Sequence, residues 1–469
     1  MRILYAYFVT ILCMRAVNGL RLIGSTAIGQ DPPTVNRLNG ESFQQDALVT
    51  FNNYQYAVFW TASTTNASIR QANVARRSLN PSGKWQSFVL TDYNQTEDDG
   101  HDVISLGISR GDGTLHIGFD QHDNPLNYRV SQKNVATHPQ SVKWSSSIFG
   151  PTLDHLPGLE SLDKSVYFIN ITYPRFLNIP TNAHGQGADL LLELRVGRSG
   201  LGDDWLYRYV PNDGWKQIGR YLEGVNNNAY INGLDFDSHG ALLTTWTYRD
   251  YVNDTGQNVA VQAGPNGPEN NHDLNFAYSH DVGYTWFNNW NQQIANTSSQ
   301  VPIVPVSAGI TVFGIPKYGG ILNQEAQTID SAGRLHVLNR ENTTGVEQWY
   351  HYWRDTNTYW TRTALPSPAN LVSVNNITGT PTVIGKRGKL VSSKNALYAI
   401  LPSNAANSTA LSIIGSTVSG HFVDWEVLWE SSNGNTAEPL FDRHRLTEDD
   451  VLSLFLVNGT NLQVVDFTL

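Results

Sequence analysis

The sequence predicts an all-β chain folded as a seven-bladed β-propeller. Three observations predict it. Short alternating runs recur from end to end while helical periodicity is nearly absent. Seven of these runs are alike, and several follow the same kind of glycine turn. A tryptophan follows most of them at a similar interval.

The seven runs are Tyr54–Trp60, Leu115–Asp120, Leu190–Arg195, Ala241–Tyr248, Leu335–Arg340, Leu397–Leu401 and Leu452–Val457. Their apolar character makes them the expected inner strands of the blades. Gly111-Asp112-Gly113, Asp237-Ser238-His239-Gly240 and Asp330-Ser331-Ala332-Gly333 supply tight turns, in which glycine takes the positive φ. Trp85, Trp144, Trp215, Trp286, Trp360 and Trp425 are expected to pack an outer strand against a neighbouring blade. The spacing fits four-stranded blades of ~40–50 residues, with an insertion after the fourth run. No Pro- or Ser-rich linker divides the chain, so residues 20–469 read as a single propeller. The last run, Leu462–Leu469, is expected to pair with the N-terminal strand and close the ring, which leaves no open sheet edge.

One hairpin carries a sharper mark. Ser279-His280-Asp281-Val282-Gly283-Tyr284-Thr285-Trp286 reads Ser-X-Asp-X-Gly-X-Thr-Trp, the Asp-box or BNR repeat. The aspartate caps backbone amides, the glycine takes positive φ and the tryptophan anchors the turn. The motif marks a propeller hairpin and carries no chemistry.

Composition bounds the function. Arg2, the apolar run Ile3–Met14 and small residues at Val17-Asn18-Gly19 read as a secretory signal over residues 1–19, too short to span a bilayer. The expected location is extracellular. Cys13, the single cysteine, falls inside that segment, so neither a disulfide nor a thiolate metal site is expected in the mature chain. About 450 residues bury a core without such staples. Nine Asn-X-Ser/Thr sequons, at Asn66, Asn94, Asn170, Asn253, Asn296, Asn342, Asn376, Asn407 and Asn458, fit a secreted glycoprotein. The net charge is −10, and no basic run is present, which argues against nucleic acid as a partner. No later stretch is apolar enough for a membrane helix. Thirteen Trp and twenty-one Tyr suit a β-rich core first and sugar clefts second.

Propellers bind ligands where strand ends converge on the axis. Ionisable residues recur there: His101, His122, Tyr173, Arg195, Tyr230, Arg249, His272 and Arg340. Arg195, Arg249 and Arg340 end three consecutive runs. Converging guanidinium groups suit an anionic ligand, because arginine grips a carboxylate with two bonds. Such a set can support β-elimination at a uronic acid. A cation neutralises the carboxylate so that the C5 proton becomes acidic, a base removes it, and an acid protonates the oxygen leaving C4. The base remains open among His101, His122 and Tyr173. A conventional glycosidase needs two placed carboxylates. Asp120 is one candidate, with no evident partner.

These landmarks resemble the BNR-type propeller polysaccharide lyases, including ulvan lyases. They are most similar to the secreted L-rhamnose-α-1,4-D-glucuronate lyases acting on arabinogalactan-type glycans such as gum arabic. The resemblance rests on Gly100-His101-Asp102, Leu115–Asp120 with His122, Tyr173-Pro174-Arg175-Phe176, Arg195-Val196-Gly197-Arg198-Ser199-Gly200, Asn228-Ala229-Tyr230, Trp246-Thr247-Tyr248-Arg249 and Asn271-His272-Asp273. It implies that His101 and His122 move protons and polarise substrate, Tyr173 is an acid/base and Arg195 neutralises the uronate carboxylate. It also implies that Tyr230, Arg249 and Arg340 line the site; His272 is taken as a fourth substrate-binding candidate, although a histidine in such a place is more often structural and its neighbours suggest hairpin support. The implied partner is an acidic plant-type polysaccharide, with no membrane and no nucleic acid, bound by a monomer.

Two departures matter. Some relatives hold a structural metal with cysteines near the Asn-His-Asp stretch, where this chain has Asn275, so no metal is carried over. No cofactor is required, and a structural Ca²⁺ stays open. Related α-L-rhamnosidases use a histidine early in the first blade, where this chain reads Phe43-Gln44-Gln45-Asp46-Ala47. An α-L-rhamnosidase and a non-catalytic glycan-binding propeller are the alternatives. A sialidase would need a Tyr–Glu pair and an acidic Asp that the sequence does not assemble. Local acids could pair Arg175, and strand alternation turns His116 and His336 away from the site.

Overall fold

Alternating apolar strands with polar turns must bury one or both faces, and here they do so as seven antiparallel sheets arranged in a ring. The computed structural model describes residues 20–41, 46–198, 202–224, 228–249, 270–345, 348–365, 387–403 and 408–469. The signal segment with Cys13, the sequons at Asn253, Asn376 and Asn407, Phe43 to Gln45, and Ser199-Gly200 lie outside the described residues.

Blade 1 comprises Leu48–Phe51, Tyr54–Ala62, Arg70–Ser78 and Gln86–Gln95, and blade 2 comprises Ile104–Ile108, Leu115–Phe119 and Tyr128–Val130. Blade 3 is Ile171–Asn178, Leu190–Val196, Asp203–Val210 and Gly214–Leu222, with the short strand His122–Asn124 added from blade 2. Blade 4 begins Ala229–Phe236, Leu242–Arg249 and Asn271–Ser279, blade 5 Ala326–Ile329, Leu335–Glu341 and Gln348–Arg354, and blade 6 Lys389–Ser392, Ala396–Pro402 and Leu411–Thr417. Blade 7 is closed by the two chain ends. Leu440–Phe441, Val451–Asn458 and Asn461–Thr468 take Arg21–Gln30 as their outermost strand, paired from Arg21↔Thr468 to Gln30↔Asn461. The expected ring closure is therefore present.

The runs expected to be innermost are instead the second strand of every blade. The axial position belongs to the strand before each, and these first strands touch from blade to blade, 1 to 2, 2 to 3, 4 to 5 and 5 to 6. The physical reason is burial. A second strand has sheet neighbours on both sides and blades on both faces, so it reads as a near-continuous apolar run. First strands border the axis and carry polar residues, as in Ile171–Asn178 and Ala326–Ile329. Because paired strands run antiparallel, the starts of first strands and the ends of second strands share one face of the ring. His101, Tyr173 and Tyr230 stand at the former, and Arg195, Arg249 and Arg340 at the latter.

The tryptophan series joins blades as expected. Trp144 packs on Tyr56 and Phe88 of blade 1, Trp215 on His116 and Tyr128 of blade 2, and Trp286 stacks on Tyr221 of blade 3 at 5.0 Å. Trp360 meets Phe276 of blade 4, and Trp425 meets His351 of blade 5. Trp85 reaches back to Thr26, on the closing strand of blade 7. The Asp-box hairpin also forms as expected. Asp281 accepts from the Thr285 amide and hydroxyl at 2.7 and 2.8 Å, and Gly283 sits at φ 95° with Trp286 donating to its carbonyl at 3.0 Å. Trp286 is fully buried. Trp286→Ala should therefore destabilise the fold by about 3–5 kcal/mol, read as a lowered denaturant midpoint.

On the face away from those residues, the helix Arg443–Asp449 lies against blade 1. Its N-cap Asp442 accepts the amides of His444 and Arg445 and also the side chains of Thr50 and Gln55. No helix among the described residues is long and apolar enough to cross a membrane.

Candidate active site

The loop before blade 2 is pinned by the segment that leads from the closing strand Arg21–Gln30 into blade 1. The Asp98 carboxylate accepts the amides of Val35 and Asn36, both at 2.8 Å. This fixes Asp99, which the sequence reading missed, and Asp99 organises the first part of the site. Its two oxygens face two imidazoles: His101 Nδ1 at 2.5 Å and His122 Nδ1 at 2.6 Å. The His101 amide donates to the same carboxylate at 3.0 Å. The two rings stack with centroids 3.9 Å apart and planes 19° from parallel. His122 is itself held by the ladder, opposite Thr172 of blade 3.

Burial, and then the neighbouring His122, lower the His101 pKa to about 4 against the opposing pull of Asp99, so His101 is neutral at pH 7. Burial opposes ionisation of Asp99, but the bonds from both histidines outweigh it and hold the carboxyl below its usual range.

Tyr173 comes from a bulge. Thr172 pairs with Arg195 and Arg175 pairs with Glu193, so two residues of the first strand oppose one of the second. Tyr173 takes φ 60° there. A bulky residue in that region costs about 1–3 kcal/mol, a strain that concentrates at functional sites. The bulge sets the ring, only 6 % exposed, between four groups. Arg195 Cζ lies 4.9 Å and Arg175 Cζ 5.8 Å from its centroid, the His101 ring 6.0 Å and the Tyr230 ring 6.4 Å away. Burial raises the Tyr173 pKa to about 12 despite the charge of Arg195, so the phenol keeps its proton at pH 7.

Arg195 is 1 % exposed and donates to Thr172 Oγ1 at 3.2 Å, with Asp123 3.6 Å away. Arg249 stacks over Tyr230, Cζ to centroid 4.7 Å, and is steered by Asn271 at 2.7 Å and Asn323 at 3.2 Å. Asn323 also accepts from Arg387, which pairs with Glu438 at 2.8 Å and whose charge lowers the Tyr173 pKa. Arg387 and Asn323 were not legible in the sequence, since both lie in loops ahead of first strands, without a motif.

The structure thus brings together His101, His122, Tyr173, Arg195, Tyr230 and Arg249. Two other expected residues belong to adjoining networks. Arg340 lies over Trp349 at 5.0 Å, and its charge acts on Glu325 beside Arg387. His272 pairs across the sheet with Tyr248, its Nδ1 3.0 Å from Asp273, and reaches the cluster through its neighbour Asn271. Arg175 does pair with a local acid, Glu193, at 3.1 Å.

Asp120 has an acidic neighbour after all. Burial, then the charges of Asp120 and Asp99, raise the Asp102 pKa to about 9. Both carboxyls are buried, and Asp120 accepts from Tyr93, so the pair underlies the histidine loop and does not flank an open cleft. Asp99, His101 and His122 are close enough together to suggest a metal. Their N···O separations of 2.5 and 2.6 Å are hydrogen-bond distances, whereas two ligands each about 2 Å from a shared ion stand farther apart. Clefts of about 410 and 910 Å³ open on the opposite face and share Phe236, Arg443 and Thr447. There Arg443 is bound to Asp235 and His444 to Arg110, and no phenol joins them. The acid–base groups converge on the first face.

Comparison with known proteins agrees with this architecture. The pattern of BNR_4, the BNR repeat-containing family, matches residues 54–367. The long isoform of ulvan lyase from Alteromonas sp. (strain LOR) is 28% identical over 159 residues, 29% of this chain and 15% of that protein. The matched part thus spans well under two thirds of that relative. The crystal structure of polysaccharide lyase Uly1 superposes with a TM-score of 0.67 at 15% identity, covering 96% of this chain and 99% of that one. A PL25 ulvan lyase gives 0.61 at 13% identity, covering 93% and 97%. At such identities the likeness is one of fold. With two thirds of its length matched by the family pattern, the chain is a member of the BNR repeat-containing family.

Proposed function

We propose that this chain is a secreted polysaccharide lyase that cleaves the L-rhamnose-α-1,4-D-glucuronate linkage of arabinogalactan-type glycans by β-elimination. The observation that carries the reading is the bulged Tyr173, enclosed by the buried Arg195 guanidinium and the stacked His101–His122 pair. Elimination needs the three kinds of group that meet there: a fixed cation, a neutral base and a protonated acid. The ulvan lyase likeness supports the same chemical class.

Arg195 neutralises the uronate carboxylate and so acidifies the C5 proton. The neutral His101 imidazole, stacked on His122, takes that proton. The C5–H electron pair becomes the C4=C5 double bond, the C4–O4 bond breaks, and rhamnose leaves with O4 after receiving the Tyr173 proton. No water is consumed, and the glycan keeps a 4,5-unsaturated glucuronate. Tyr230 and Arg249 form the wall beside the reacting sugar, with Arg340 and His272 behind them.

Incubation with gum arabic tests this. Rhamnose should appear together with the ultraviolet absorbance of an unsaturated uronate. Rhamnose without that absorbance would replace the lyase with an α-L-rhamnosidase. Binding without either product would leave a glycan-binding propeller.

A further inference from the structure

Asp99 stands outside every motif of the sequence, yet both histidines share it. Each carboxylate oxygen faces one ring nitrogen, and in each ring that nitrogen is Nδ1. An ionised carboxylate only accepts hydrogen bonds, so a nitrogen facing it must carry a proton. A neutral imidazole has one proton to place. If Nδ1 holds it, Nε2 holds the lone pair.

We infer that Asp99 is a positioning residue that fixes His101 and His122 together in the Nδ1–H tautomer and so presents two basic Nε2 atoms, side by side, to the reacting sugar. Three further observations support it. Asp99 is held in place by the His101 amide and by the pinned Asp98 next to it. The rings stack at 3.9 Å, a spacing that two neutral imidazoles tolerate and two cations do not. His101 is kept neutral by burial and by its neighbour. The catalytic consequence rests on the elimination reading, whereas the tautomer assignment stands without it.

Asp99→Asn makes the inference testable, because an amide offers one acceptor and one donor where the carboxylate offered two acceptors. One ring can still donate Nδ1–H to the amide oxygen. The other must accept from the amide nitrogen, which moves its proton to Nε2. The experiment is long-range ¹H–¹⁵N correlation on the full chain labelled with ¹⁵N-histidine. Signals are assigned with His101→Gln and His122→Gln. The wild type at neutral pH should show both rings with Nδ1 protonated and Nε2 bare, unchanged by dialysis against a chelator. Asp99→Asn should switch one ring and keep its unfolding temperature, since the Asp99 side chain is 35% exposed. On the rhamnosyl-glucuronate substrate it should lower kcat by about 10²–10⁴-fold with KM little changed. Asp99→Ala should free both rings to mix tautomers, and it serves as the readout if the asparagine variant fails to fold.

Wild-type rings protonated at Nε2, or tautomers that survive both substitutions, would overturn the inference. So would ring signals that move on chelation, which would make the trio a metal site. A wild type with the expected tautomers but without lyase activity would instead count against the elimination reading alone.

Discussion

Arg195→Ala should lower kcat/KM on a rhamnosyl-glucuronate by about 10²–10³-fold or more, the loss seen when one buried donor to a developing charge is removed. Proton abstraction at C5 places negative charge on the uronate carboxylate, and a nearly dry guanidinium stabilises that charge far better than water does. Arg195 is already aimed by Thr172 and Asp123, so it needs no reorganisation when substrate arrives. Asp123 is 30% exposed and can be hydrated, whereas the buried Glu193 and Asp204 also lose a neighbouring positive charge, so the unfolding midpoint of the variant is measured beside its activity. Arg195→Lys should recover only part of the loss, since an ammonium cannot fork onto a carboxylate. Steady-state kinetics of the three proteins check this. An alanine variant within a few-fold of wild type would remove Arg195 from the mechanism.

Tyr173→Phe should cost about 10²–10⁴-fold in kcat while leaving KM within a few-fold. The substitution keeps the ring, and with it the packing on His101, Tyr230 and Arg195. Only the hydroxyl goes, and with it the proton that the proposed elimination gives to the leaving oxygen. With a pKa raised to about 12, that proton stays on the wild-type phenol throughout the neutral range. Unfolding should shift little, so lost activity cannot be assigned to lost structure. Retained activity in the phenylalanine variant would move the acid to the histidine pair.

How much of this was legible in the sequence depended on what kind of physics fixed each residue. The blades were legible because burial writes them as apolar runs with glycine turns, and the tryptophans because each fills a gap between neighbouring sheets. The rank of the strands was not. Apolar content marks the most enclosed strand of a blade, which is the second, while the axial strand borders polar side chains and reads faintly. That His101, Tyr173 and Arg195 come together was legible from residue types at strand ends. Their supports were not. Asp99 joins His101, two residues on, to His122 beyond the second strand of blade 2, and Arg387 acts through Asn323 and Glu438, pairings that appear only once the chain is folded. Arg340 looked equivalent to Arg195 and Arg249 by position, but its charge acts on Glu325. His272 looked like a site residue, but Asp273 takes its Nδ1.

Elimination requires that a proton leave C5 of the uronate, and a rhamnosyl-glucuronate carrying deuterium at C5 reveals whether it does. Elimination predicts that every uronate product has lost its deuterium to solvent and that the labelled substrate turns over more slowly. Rhamnose released while the deuterium stays on the uronate would contradict it.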